Sequence, residues 1–163
     1  VLVAGMGNDL LRDDGFGIAV VRRFLQEGPP EGVRAIEAGI AGLGLVQELM
    51  DGYEAMIILD ATDRDGSPGT VYLLEAEVPE LEDFTPEYQQ DFLADTHYTV
   101  PSKALILARA LDVLPSHSYI LGCQPRETEL GMGLSEPVER GVEEALERLR
   151  GLCAKLVQEP ISP

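Results

Sequence analysis

The sequence predicts an α/β protein: a three-layer α/β/α domain on a mostly parallel, twisted sheet. Two observations carry that expectation. Short apolar runs alternate with amphipathic stretches along the chain, as strands and helices alternate in parallel sheets. One run, Ala55-Met56-Ile57-Ile58-Leu59, is apolar without interruption, which suits a strand buried on both faces.

The elements follow in order. Val1 to Ala4 is a short apolar strand ending at Gly5, and Gly7 to Asp14 is a polar loop. Gly15 to Gln26 reads as a helix, with Phe16, Ala19, Val20 and Phe24 apolar and Arg22 and Arg23 turned outward. Gly28-Pro29-Pro30 stops it. Val33 to Glu37 is a second strand, Gly39 to Gly42 a glycine-rich turn, and Leu43 to Met50 a short helix closed by Asp51-Gly52. The strand Ala55 to Leu59 ends in Asp60; a turn at Gly66 to Gly69 leads to another strand, Thr70 to Leu74. Thr99 to Leu111 is a helix that tolerates Pro101 in its first turn, and Tyr119 to Gly122 is the last strand. Ser135 stands where it can N-cap the final helix. In that helix Val138, Val142, Ala145, Leu146, Leu149, Leu152, Cys153 and Leu156 form one apolar stripe. With no repeat and no linker, residues 1–163 read as one domain.

Composition narrows the function. The 163 residues hold 12 Lys+Arg against 29 Asp+Glu, a formal net charge of −17. So acidic a surface repels phosphate, which excludes nucleic acid and anionic membranes as expected partners and suits a cation or a basic segment. No apolar run approaches the ~18 residues of a membrane span, and no signal peptide is visible, so the expected location is cytoplasmic. Val1 already reads as strand, which implies residues ahead of it. Two cysteines, Cys123 and Cys153, make neither a disulfide framework nor a four-cysteine zinc site, and they read as reduced core thiols. From Asp65 to Ser102 there is no Lys or Arg but there are nine acidic residues; this stretch reads as a solvated acidic loop or a docking surface for a basic peptide.

In an α/β sheet, ligands sit at the carboxyl ends of the strands. Here those ends carry Gly5 to Asp14, Glu37 to Gly42, and Asp60 to Asp63. The glycine loop after the first strand lacks the third glycine of a dinucleotide fingerprint, and Asp13 and Asp14 at the helix entrance would repel a pyrophosphate. Helix capping needs one of these two carboxylates but hardly both, so the pair suggests a cation site. Asn8, the only Asn, suits a turn. Asp60 stands on a rigid strand end, where it either faces a ligand or caps the following turn; Asp63 reads as a capping residue. Of the two histidines, His97 precedes a helix and is the better ligand candidate, whereas His117 falls at the opposite end of the sheet. Two carboxylates and an imidazole suit nickel, zinc or iron and leave coordination positions open. Cys123 has no visible base partner for nucleophilic work.

The opening GMGNDLLRDDGFG, Gly5 to Gly17, resembles the G-x-G-N-x-L-x-x-D-[DE]-G-x-G block of the hydrogenase maturation endopeptidases across its whole length. Leu59 to Asp63 resembles that family's strand-end D-A block, Thr96-His97 its histidine block, Leu121 to Pro125 its G-x-[QI]-P segment, and Gly131 to Ser135 its stretch before the last helix. The resemblance covers nearly the whole chain and is weakest between Glu75 and Asp91.

It implies a three-layer α/β fold and an endopeptidase that acts on the hydrogenase large-subunit precursor already loaded with nickel. Such an enzyme removes a short C-terminal extension just after the His or Arg of the cysteine motif that holds the metal. Release of the tail lets the subunit close over its centre. The resemblance further implies that Asp14, Asp60 and His97 contact the nickel and carry catalysis, with Asp14 or Asp60 as general base. On this account nickel belongs to the precursor and serves as a recognition element or also as a Lewis acid. Affinity should fall as His97 is protonated. One departure is Glu37-Ala38-Gly39-Ile40, where Ile40 replaces a hydroxyl residue, which bears on subtype and tail sequence. Two rival classes stand beside this one: a non-catalytic α/β protein that binds or senses a divalent metal, and a general metallopeptidase with its own zinc.

Overall fold

The computed structural model describes residues 1–94 and 101–158. Its elements in order are β1 (Leu2–Met6), α1 (Phe16–Glu27), β2 (Arg34–Gly39), α2 (Gly42–Leu49), β3 (Ala55–Ala61), β4 (Val71–Glu75), α3 (Pro86–Ala94), α4 (Pro101–Ala110), β5 (His117–Cys123) and α5 (Glu136–Gln158), with short 3-10 turns at Arg12–Gly15 and Leu81–Asp83. The strands form one sheet in the order β2-β1-β3-β5-β4. The pairs β1–β2, β1–β3 and β3–β5 are parallel. Only β4 runs antiparallel, against β5. The connection from β3 to β4, residues 62–70, is too short for a crossover helix, so the chain turns back.

The unbroken apolarity of β3 has a plain cause. Met56 and Ile58 pack with Leu45, Leu49, Ala104 and Leu105 of α2 and α4, whereas Ile57 and Leu59 face Phe16, Val20, Val142 and Leu146 of α1 and α5. Successive side chains point to opposite faces, so a central strand between two helical layers is apolar at every position. The expected three layers are therefore present. Cys153 lies in the core with the rest of the α5 stripe. Among the described residues no helix is long and apolar enough to cross a membrane.

Two expectations need correction. The strand expected at Tyr119 to Gly122 extends at both ends, so His117 is its first residue; paired with Ala55, it still lies at the amino end of the sheet. The acidic stretch is not simply a solvated loop. Its charges, Glu80, Glu82, Asp83, Glu87 and Asp91, are exposed. Val78, Leu81 and Phe92 nonetheless enter the core, and Phe84, Tyr88 and Phe92 stack along α3 with ring centroids 4.6 and 6.2 Å apart. Phe84, just before α3, and Phe92, within it, pack against the core, while Tyr88 between them is exposed, and the surrounding charges conceal the pattern.

The approach of α1 to the sheet positions the site. A Cβ at Gly17 would lie 2.0 Å from the Leu59 carbonyl oxygen and 2.4 Å from that of Met6. A Cβ at Gly5 would lie 2.6 Å from the Gly17 carbonyl oxygen. Only two glycines let the start of α1 sit this low on the carboxyl edge of β1 and β3.

Candidate active site

The loop after β1 brings Asp14 to that edge. Gly7, at φ +113°, donates its N–H to the Gly39 carbonyl at 3.1 Å and so joins the loops after β1 and β2. Asn8 makes the expected turn, its Oδ1 accepting the Leu10 N–H at 3.0 Å. Its own N–H donates to Asp14 Oδ2 at 2.8 Å, which aims that carboxylate. Asp60 leaves the end of β3. Burial, and then the negative charge of Asp14, push its carboxyl up to about 7 against the opposing pull of the Ala61 N–H. The two acids are thus near enough for one charge to act on the other, and none of the ion pairs among the described residues compensates either. Like charges gathered without a cation favour binding one. Hard oxygen donors fit a divalent ion.

The acidic pair divides its work. Asp13 is fully buried. Its Oδ2 accepts the N–H groups of Arg126 and Glu127 at 2.8 and 2.9 Å and the Ser135 hydroxyl at 2.8 Å, while Oδ1 accepts the Ser135 N–H at 2.6 Å. Burial alone would raise this carboxyl, but the donors from Ser135, Glu127 and Arg126 outweigh it and hold it below its ordinary value. Ser135 stands immediately before α5, where its carbonyl accepts the Glu139 N–H, and its hydroxyl is spent on Asp13. Asp13 is therefore a structural acid, and Asp14 alone reaches the edge.

His97 lies outside the described residues. Among the described residues no three His, Cys, Asp or Glu side chains gather to hold a metal ion; of the expected triad, Asp14 and Asp60 stand at one edge of the sheet, beside the ends of the neighbouring strands β1 and β3. Asp63 is a turn residue, its Oδ1 accepting the Asp65 N–H at 3.0 Å and the Gln124 amide at 2.8 Å. Cys123 is buried, its thiol pushed up to about 12, chiefly by desolvation, and it makes no nucleophile. Glu37 is committed to Arg22, which grips it with two N–H groups at 2.8 and 2.6 Å and reaches Asp9 at 2.9 Å. Ile40 is 53% exposed.

Two positioning residues escape a reading by chemistry. One is Asp13. The other is the buried Gln124, whose Oε1 accepts the N–H groups of Arg64 and Gly66 at 2.8 and 3.1 Å and so holds the loop that follows Asp60. Its place at the end of β5, beside the end of β3, was the available signal.

Comparison with known proteins agrees with this architecture. The family model described as hydrogenase maturation protease matches residues 18–151. The hydrogenase expression/formation protein HupD of Rhodobacter capsulatus is 32% identical over 156 residues, covering 92% of this chain and 71% of its own. The hydrogenase maturating endopeptidase HybD from E. coli superposes with a TM-score of 0.74 at 27% identity, covering 94% of this chain and 91% of that one. The NiFe hydrogenase maturation protease HybD from Thermococcus kodakarensis gives 0.67 at 27% identity, covering 93% and 97%. Fold and relatives together define a protease on an α/β scaffold. The chain belongs to the hydrogenase maturation protease family.

Proposed function

We propose that this protein is the endopeptidase that removes the C-terminal extension of a nickel-loaded hydrogenase large-subunit precursor. The observation that carries this reading is that Asp14, tied to the loop after β1, and Asp60, at the end of the neighbouring parallel strand β3, stand at one carboxyl edge of the sheet in a chain of the maturation protease family. The nickel is part of the substrate. Asp14, Asp60 and His97 are proposed as the side chains that grip it. Two carboxylates and one imidazole leave room in the coordination sphere for the precursor's own ligands. A precursor without nickel lacks that attraction and is passed over. Either carboxylate, when not engaged by the metal, is suited to accept a proton from the attacking water. The buried donors around Asp13 and Gln124 keep the two loops in register while a large substrate docks.

The test is incubation with nickel-loaded and nickel-free precursor, read by mass spectrometry. The loaded precursor should lose its C-terminal extension and the nickel-free one should stay intact. Asp14→Asn, Asp60→Asn and His97→Ala should each slow processing by about a hundredfold or more. A loaded precursor left at full length by the wild-type protein would overturn the proposal, and full activity in His97→Ala would remove that residue from it.

A further inference from the structure

Beside the candidate site lies an apolar ledge. Leu10, Leu130 and Met132 are 52%, 83% and 77% exposed. Their backbone is firmly held. The Arg12 N–H donates to the Gly131 carbonyl at 2.9 Å and the Gly131 N–H to the Leu10 carbonyl at 2.8 Å, a short parallel bridge centred on Leu11 and Gly131. One residue further, Asp13 ties down Arg126, Glu127 and Ser135 on both sides of the Leu130–Met132 segment. Leu130 and Met132 flank Gly131, and Leu10 adjoins its bridge partner Leu11, so the bridge brings the three exposed residues to one place on the surface. Apolar side chains fixed outward on a pinned backbone have no means of collapsing into the protein and gain only by meeting a partner.

Sheet order says where that partner sits. The loops carrying the ledge follow β1 and β5, the two strands that flank β3, and β3 ends in Asp60. A polypeptide cut at the Asp14–Asp60 edge must lie across the ends of these three strands and therefore against the ledge. Of the other exposed apolar side chains, Leu25 near the end of α1 and Leu111 just after α4 lie on segments that run toward the opposite edge, and Ile40 and Leu43 follow β2, on the far side of β1 from β3.

We infer that Leu10, Leu130 and Met132 form a docking surface for an apolar stretch of the precursor polypeptide, adding affinity independent of the metal. This rests on the processing reading above. The test is steady-state processing of nickel-loaded precursor by the Leu130→Ser/Met132→Ser double variant, with Leu111→Ser as control. The double variant should raise KM about tenfold or more and change kcat less than about twofold, and the control should match wild type. If the double variant melts earlier than wild type, Leu130→Ser alone should raise KM about threefold or more. An unchanged KM in a folded variant, with wild type active, overturns the docking surface and leaves the processing reading standing. A wild-type protein that never shortens the precursor overturns both. A wild-type dimer that the double variant converts to monomer in sedimentation assigns the ledge to a second copy of the chain and overturns the inference.

Discussion

Asp13 Oδ1 accepts the N–H of Ser135 at 2.6 Å, joining the loop after β1 to the head of α5 across 122 positions of sequence. The same carboxylate holds Arg126 and Glu127. The residue next to it, Asp14, is thereby set at the carboxyl edge by contacts from the far end of the chain.

Replacing Asp13 by Asn should cost about 2–4 kcal/mol, because donors that now share a carboxylate would face an amide N–H₂ instead. Urea denaturation at neutral pH measures it. Asp13 is held below its ordinary value of 3.8, so its stabilisation is complete above that value and is lost as pH falls through the lower folded-state value. The unfolding midpoints of wild type and Asp13→Asn should therefore converge in acid.

Asp60 has the opposite sign. Its carboxyl is raised from 3.8 to about 7 by burial and by Asp14, so the folded state favours the protonated form. In metal-free protein that preference stabilises the fold fully below 3.8 and is lost as pH rises to about 7. Asp60→Asn should melt close to wild type near pH ~4 and several degrees above it near pH ~8, in the presence of a chelator. Thermal melts at the two pH values decide it. A variant that loses stability at alkaline pH would mean that Asp60 is stabilised there as an anion.

Gly17→Ala should destabilise the protein by about 2 kcal/mol or more, since its methyl would drive into the Leu59 and Met6 carbonyls, backbone atoms with nowhere to retreat. Gly28→Ala, with open space around its Cβ position but φ +87° and ψ 107°, outside the left-handed helical region, meets backbone strain and no clash. Chemical denaturation of both variants should separate close packing from conformational strain.

Much of the architecture was legible because local periodicity survives in the fold. The all-apolar β3 and the one-sided stripe of α5 announce, respectively, a strand covered on both faces and a helix covered on one. The glycine block before α1 was visible as a motif, but its physical reason, the collision a Cβ at Gly17 would have with two carbonyls, belongs to the packed state. Helix α3 is hard to read locally because its core residue Phe92 stands among charges whose solvation dominates a short window.

The candidate site divides along the same line. Local sequence marked the Asp13–Asp14 pair and Asp60 as candidates, and the family resemblance singled out Asp14 and Asp60 among them. Residue order was silent on which member of the Asp13–Asp14 pair is structural, because the groups that answer it, Arg126, Glu127 and Ser135, lie more than a hundred positions away. The coupling of Asp14 to Asp60 likewise depends on β1 lying beside β3 in the sheet. Periodicity and turn chemistry are properties of neighbours along the chain, whereas burial and the field of a second charge arise only once distant segments have been packed together.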